Sequence, residues 1–116
     1  MDPYVNARRI LILSLAFVFA YFGIDKFIHP AFWQGWIPSW LSGDFGLDAL
    51  TWLKVIGSIE IATAVLIFQP FRLLRRLGCL LAVLQLIGIL TQTGWNDIAV
   101  RDIALMAIAI AVWLIA

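Results

Sequence analysis

The sequence predicts an all-α integral membrane four-helix bundle, and three observations carry that reading. Hydrophobic residues fill 64% of the 116 positions and charged residues only 13%, against a roughly even apolar share and about a quarter charged in a soluble domain. The apolar residues gather into four tracts of about 20 residues, the length that crosses a hydrocarbon core of about 30 Å. Prolines and polar turns separate the tracts, and the four together use nearly the whole of residues 1–116, a single transmembrane domain.

The first span is expected at about 10–28, after Arg8 and Arg9 and before Pro30, since proline cannot continue the backbone hydrogen-bond ladder. The tract is long for a signal-peptide core and lacks a small-x-small cleavage site, so it reads as a retained span. The longest connection follows, Pro30 to Ala49, where Trp33, Trp36 or Ile37, and Trp40 recur at helical spacing. Pro38, Gly43 and Gly46 break any long helix there, so a Trp-rich, half-turned interfacial loop is expected. The second span is expected at about 50–68, stopped by Pro70, the third at about 73–90 and the fourth at about 99–116. Leu77–Leu90 and Ile103–Ala116 are uncharged for only 14 residues each, which rise about 21 Å. Spans three and four must therefore draw polar residues into the membrane or thin it locally, and Arg101 and Asp102 are expected to be buried.

Arginine placement sets the orientation. Arg8 and Arg9 precede span one and Arg72, Arg75 and Arg76 lie between spans two and three, whereas the opposite loops carry Asp44, Asp48 and Asp97. The basic side is cytoplasmic, which gives an N-in, C-in topology with Trp33, Trp36, Trp40, Trp52 and Trp95 at the outer interface. A net charge of +1 gives no support for nucleic acid as a partner. The only cysteine, Cys79, permits neither an internal disulfide nor a dithiol nor a thiolate metal site, and it is expected to be a packing residue. No metal site is assigned.

Six charges remain in or at the ends of the apolar tracts: Asp25, Lys26, Lys54, Glu60, Arg101 and Asp102. They sum to zero and all fall toward the outer half. Glu60 is deepest, about 15 Å from the outer boundary, where a lone ionised group costs roughly 2.5–3.5 kcal/mol. It is expected to be either protonated or paired inside the bundle, with Arg101 as first choice of partner and Lys26 or Lys54 as second. Small residues around it, Gly57-Ser58-Ile59-Glu60-Ile61-Ala62, favour close helix packing and place span two centrally. Gln85 and Gln92, seven residues apart, share a face of span three, and Tyr21 and His29 end span one in the same region. Two readings fit these residues: an ion-pair network that only fastens the helices, or the polar end of a ligand site.

At these residues the chain resembles the DoxX-like small integral membrane proteins. The matching pieces are Gly23-Ile24-Asp25-Lys26-Phe27, Ile37-Pro38, Gly57-Ser58-Ile59-Glu60-Ile61 and Arg101-Asp102, in order along nearly the whole chain. The resemblance implies a four-helix bundle in a prokaryotic inner membrane, associated with redox complexes such as thiosulfate:quinone oxidoreductase, with Lys26, Glu60, Arg101 and Asp102 as its polar signature.

Three functions follow as expectations. The first is a non-catalytic subunit, scaffold or assembly factor of a redox-associated membrane complex, gripping a protein partner through its basic loop or its tryptophan loop. The alternative is a redox-associated subunit that binds a quinone-like ligand in an outer-leaflet charged cavity, with Glu60 and Arg101 on the polar head. A third is a small transporter or proton pathway, weakened because no charge is assigned to the inner half of any span. Quinone is the one candidate cofactor. No catalytic residue is assigned, and the chain lacks the equipment of a stand-alone enzyme. Besides the bilayer and a protein partner, a homo-oligomer stays open, although no span carries a GxxxG pattern.

Overall fold

In the computed structural model, which describes residues 2–33, 48–93 and 97–116, Asp2 opens the first helix. Its carboxylate accepts the Tyr4 amide at 2.9 Å, and Pro3 takes the first helical position, where no amide hydrogen is needed. Helix α1 therefore runs Pro3–Ile28, starting well before the apolar tract that marks it in the sequence. Hydropathy locates the apolar stretch, whereas the cap locates the helix end. A single helical turn, α2 (Pro30–Trp33), follows His29. The rest of the outer loop, with Trp36, Ile37-Pro38, Trp40 and Asp44, lies outside the described residues, as does Trp95.

Asp48 caps α3 (Ala49–Phe68) by accepting the Thr51 amide at 2.8 Å, and the helix ends at Gln69, one residue before Pro70. Helices α4 (Arg72–Thr93) and α5 (Asp97–Ile115) complete the bundle. All four long helices are long and apolar enough to cross a membrane, by length and composition.

Successive long helices pack antiparallel. Helix α1 lies most extensively on α3, α3 on α4 and α4 on α5, while α5 closes back on α1 through a thinner contact. The α1–α3 crossing is tight because two glycines face each other: a Cβ on Gly23 would lie 2.8 Å from the Gly57 carbonyl oxygen, and one on Gly57 2.9 Å from that of Gly23. Backbones this close leave no room for any side chain larger than hydrogen. Span two is thus central, as its small residues predict.

Outward faces are apolar, with Ile10, Phe17, Val65, Leu73, Leu84 and Leu114 all exposed. The interior divides in two. Toward the end where α1 begins, the core is Ile12, Leu15, Ile67, Cys79, Ala82 and Val112. Toward the other end, the buried side chains include Lys26, Glu60, Thr63 and Asp102. Apolar outside and partly polar inside is the arrangement that lipid, not water, stabilises.

Arginines bind the end where α1 begins. Buried Arg75 donates from Nε to the Ile67 carbonyl and from Nη2 to that of Gln69, both at 2.8 Å, and so satisfies the last turn of α3. Arg8 Nε donates to the Ile115 carbonyl and Arg76 Nε to that of Trp113, both at 3.1 Å, at the end of α5. The Arg76 guanidinium also lies 4.7 Å from the Trp113 ring centroid. Arg75 corrects the expectation of an inner half without buried charge: it belongs to the first turn of α4 and turns inward to serve the open carbonyls of α3.

Candidate functional site

The half of the bundle away from the start of α1 holds a cavity of about 470 Å³, inside the range of about 300–1,000 Å³ usual for small-molecule sites. Every long helix contributes to it: α1 through Phe22 and Lys26, α3 through Glu60, α4 through Gln85 and Gly88, α5 through Arg101 and Asp102. Phe19, Leu53 and Leu86, all buried, add apolar wall, and α2 adds Phe32 and Trp33.

Lys26 Nζ pairs with Glu60 Oε1 at 2.6 Å, and the two side chains are 8% and 5% exposed. The pair forms at the Gly23–Gly57 crossing, where α1 and α3 come closest, so a lysine beside that crossing meets the acid one turn along α3. Trp33 lies against the ammonium at 4.0 Å from Nζ to ring centroid. Asp25 holds that indole, accepting the Trp33 Nε1 hydrogen at 2.8 Å on Oδ2 while Oδ1 bonds His29 Nδ1 at 2.8 Å. Asp25 and His29 thus stand behind the cavity and fix its aromatic rim.

Arg101 is not the partner of Glu60, and it is not buried: its side chain is half exposed at the rim of the cavity. Its Nη2 and Nε donate to Asp102 Oδ1 at 3.2 and 3.3 Å, and its guanidinium carbon lies 5.2 Å from the Phe22 centroid. Depth along a helix fixes the height of a side chain but not the direction it faces. Asp102, by contrast, is fully buried as expected. Lys54 is exposed on α3 and is no part of the cavity, because it and Glu60 are six residues apart and project from different sides of the helix.

Gln85 lines the cavity and donates from Nε2 to Thr63 Oγ1 at 2.7 Å. Gln92 has its side chain outside the described residues. Tyr21 stands at the rim, 56% exposed, and packs edge-on against Phe22 at 5.7 Å between centroids. Tyr21 on α1 and Arg101 on α5 are exposed lining residues, and these two helices meet in a thinner contact than α1 with α3, α3 with α4 or α4 with α5.

Several contributors escape a reading of charges alone. Phe22 stands four residues before Lys26, on the same helix face, and lies between the two cations at 5.9 Å from Lys26 Nζ and 5.2 Å from the Arg101 guanidinium carbon. Thr63 follows Glu60 by three residues and is fully buried. Gly88 follows Gln85 by three, and a Cβ there would meet nothing within 4 Å. A helix-interior glycine with no neighbour to accommodate is costly to the helix and leaves space at the cavity wall. Cys79 is a buried free thiol in the apolar core. Among the described residues no group of three or more His, Cys, Asp or Glu side chains is placed to hold a metal.

Comparison with known proteins gives one match, to the family described as "Domain of unknown function (DUF8561)", over residues 15–102. That stretch includes every residue lining the cavity except Leu105, and it contains all four of Lys26, Glu60, Arg101 and Asp102. No curated protein and no solved structure matches the chain.

Proposed function

The chain belongs to the DUF8561 family, whose function is unknown, and we propose that it is a membrane subunit that binds a small amphiphile with a quinone-like polar head in its outer-half cavity. The observation that carries this reading is an open, apolar-walled space of about 470 Å³ at the buried Lys26–Glu60 pair and the rim-standing Arg101 on buried Asp102. A purely structural ion-pair lock would close on itself and leave no such room. Polar groups in an otherwise apolar pocket orient a ligand head, while Phe19, Phe22 and Leu86 hold its apolar remainder.

The thin α1–α5 contact, with exposed Tyr21 and Arg101 at the cavity rim, supports entry from the lipid rather than from water. The proposal includes insertion in a prokaryotic inner membrane with both termini cytoplasmic, since the arginine-capped end is the basic one. It also includes the redox association that the resemblance to DoxX-like proteins implies, with the chain as an accessory subunit. A grip on a partner through the basic loop draws less support, because Arg75 and Arg76 are engaged on helix carbonyls.

Calorimetric titration of the detergent-solubilised protein with a short-tailed quinone tests this. Wild type is expected to bind, and a Lys26→Met/Glu60→Gln double variant, which keeps the walls but loses the ion pair, to bind at least about tenfold more weakly, the loss of one charge-assisted hydrogen bond. Equal affinity in the two proteins would refute the role assigned to the pair.

A further inference from the structure

Among the described residues, two buried side-chain oxygens of the cavity lining, Gln85 Oε1 and Asp102 Oδ2, have neither a hydrogen-bond partner nor an ion-pair contact, whereas a third, Glu60 Oε1, lacks a hydrogen bond but pairs with Lys26 Nζ. The orientation of the Gln85 amide follows from its neighbours. One of its polar atoms lies 3.1 Å from the Leu81 carbonyl oxygen, which can only accept, so that atom is the nitrogen. The same nitrogen donates to Thr63 Oγ1 at 2.7 Å, and Thr63 gives its own proton to the Ile59 carbonyl at 2.8 Å. Both amide hydrogens are therefore engaged, and Oε1 is left as a pure acceptor. On Asp102, both Arg101 hydrogen bonds go to Oδ1, and Oδ2 receives none.

The donors of the cavity are better served. Lys26 is held by Glu60 and the Trp33 ring, and Arg101 by Asp102 and the Phe22 ring. What the described lining lacks is donors for these two oxygens, and a buried acceptor left unpaired is costly. Its two cations and two carboxylates cancel, so it has no surplus negative charge to hold an ammonium group. The rim is aromatic, with Phe22 and Phe32 both edge-on to Trp33 at 5.5 and 5.2 Å between centroids.

We infer that the cavity selects a neutral aromatic ligand that donates hydrogen bonds, a phenol or hydroquinone, over the same ring carrying only carbonyls or ethers. This rests on the ligand-binding reading above. Gln85 and Asp102 are the specificity-determining residues, a hydroquinone giving one hydroxyl hydrogen to each and a phenol giving its one to either.

The test is a matched set of three probes offered anaerobically to the full chain in lipid nanodiscs: a short-tailed hydroquinone, its dimethyl ether and its quinone. The hydroquinone is expected to bind roughly tenfold or more tightly than either of the others, the value of a hydrogen bond to an otherwise unpaired buried acceptor. A Gln85→Met variant is expected to narrow that gap by weakening the hydroquinone more than the quinone. The wild-type comparison needs no variant, so it decides the matter even if Gln85→Met fails to fold. Equal affinity for all three probes, or a preference for the quinone, overturns the donor selection while leaving the cavity as a binding site. Binding of none of the three removes the ligand-binding reading itself.

Discussion

Replacing Glu60 by glutamine leaves the Lys26 ammonium without its counter-ion in a site where it is 8% exposed. Breaking a buried pair by removing one partner costs about 3–5 kcal/mol. The Trp33 ring 4.0 Å from Nζ remains to face the orphaned cation and offsets part of this, so Glu60→Gln is expected at the lower end, about 3 kcal/mol. Lys26→Met strands the carboxylate instead, and a similar loss of about 3 kcal/mol is expected. The double variant strands nothing: a methionine and a neutral amide occupy the same volume with no charge between them. Its cost is expected to match that of one single change rather than their sum, giving a coupling energy of about 3 kcal/mol, the upper end for contacting residues. Reversible unfolding in mixed micelles, read by helical circular dichroism across all four proteins, measures the cycle. Additivity within about 0.5 kcal/mol, the behaviour of independent sites, would show that the two side chains are not paired in the folded protein.

Three further outcomes follow from the packing and the caps. Gly23→Ala or Gly57→Ala forces a methyl to within 3 Å of a facing carbonyl oxygen, and a loss of about 1–3 kcal/mol is expected from overpacking; an unchanged melting temperature would mean that α1 and α3 are farther apart than described. Arg75→Met removes both buried donors from the end of α3 and is expected to cost about 3 kcal/mol, visible as earlier thermal unfolding, whereas Arg72→Met, on an exposed side chain, is expected to change little. Hydrogen bonds from the Thr51 side chain and amide hold the Asp48 carboxyl below its ordinary value near 3.8. Its cap is therefore fully present above that value and is lost as pH falls through the lower folded one, so an acid titration of hydrogen exchange at the start of α3 is expected to show a step that Asp48→Asn abolishes.

The sequence made the architecture legible because its strongest signals, apolar tracts of spanning length and the prolines that stop them, act locally. Pro30 and Pro70 mark the ends of α1 and α3 within two residues. Pairing was harder to read. The depth of Glu60 showed that it needs a partner, but the choice between Arg101 and Lys26 depends on which way each helix turns its face, and that is settled by the Gly23–Gly57 contact between helices far apart in sequence. The arginines misled for the opposite reason. Their clustering reads as a basic loop, while Arg75 is buried on the carbonyls of a neighbouring helix end, a role visible only once that end is in place. Gln85 was marked by its polarity within an apolar tract; Gly88 beside it was overlooked, because a single glycine carries no signal until the empty space next to it is known.

The central claim, that the outer-half cavity is kept open for a ligand, is tested most directly by extracting the protein from its native membrane and identifying bound small molecules by mass spectrometry. Wild type is to be compared with Gly88→Phe, whose ring enters space where a Cβ meets nothing within 4 Å. The expected result is an aromatic amphiphile in near-stoichiometric amount with wild type and absent from Gly88→Phe, at unchanged thermal stability. The same molecule recovered equally from both proteins would place its site elsewhere and contradict the claim.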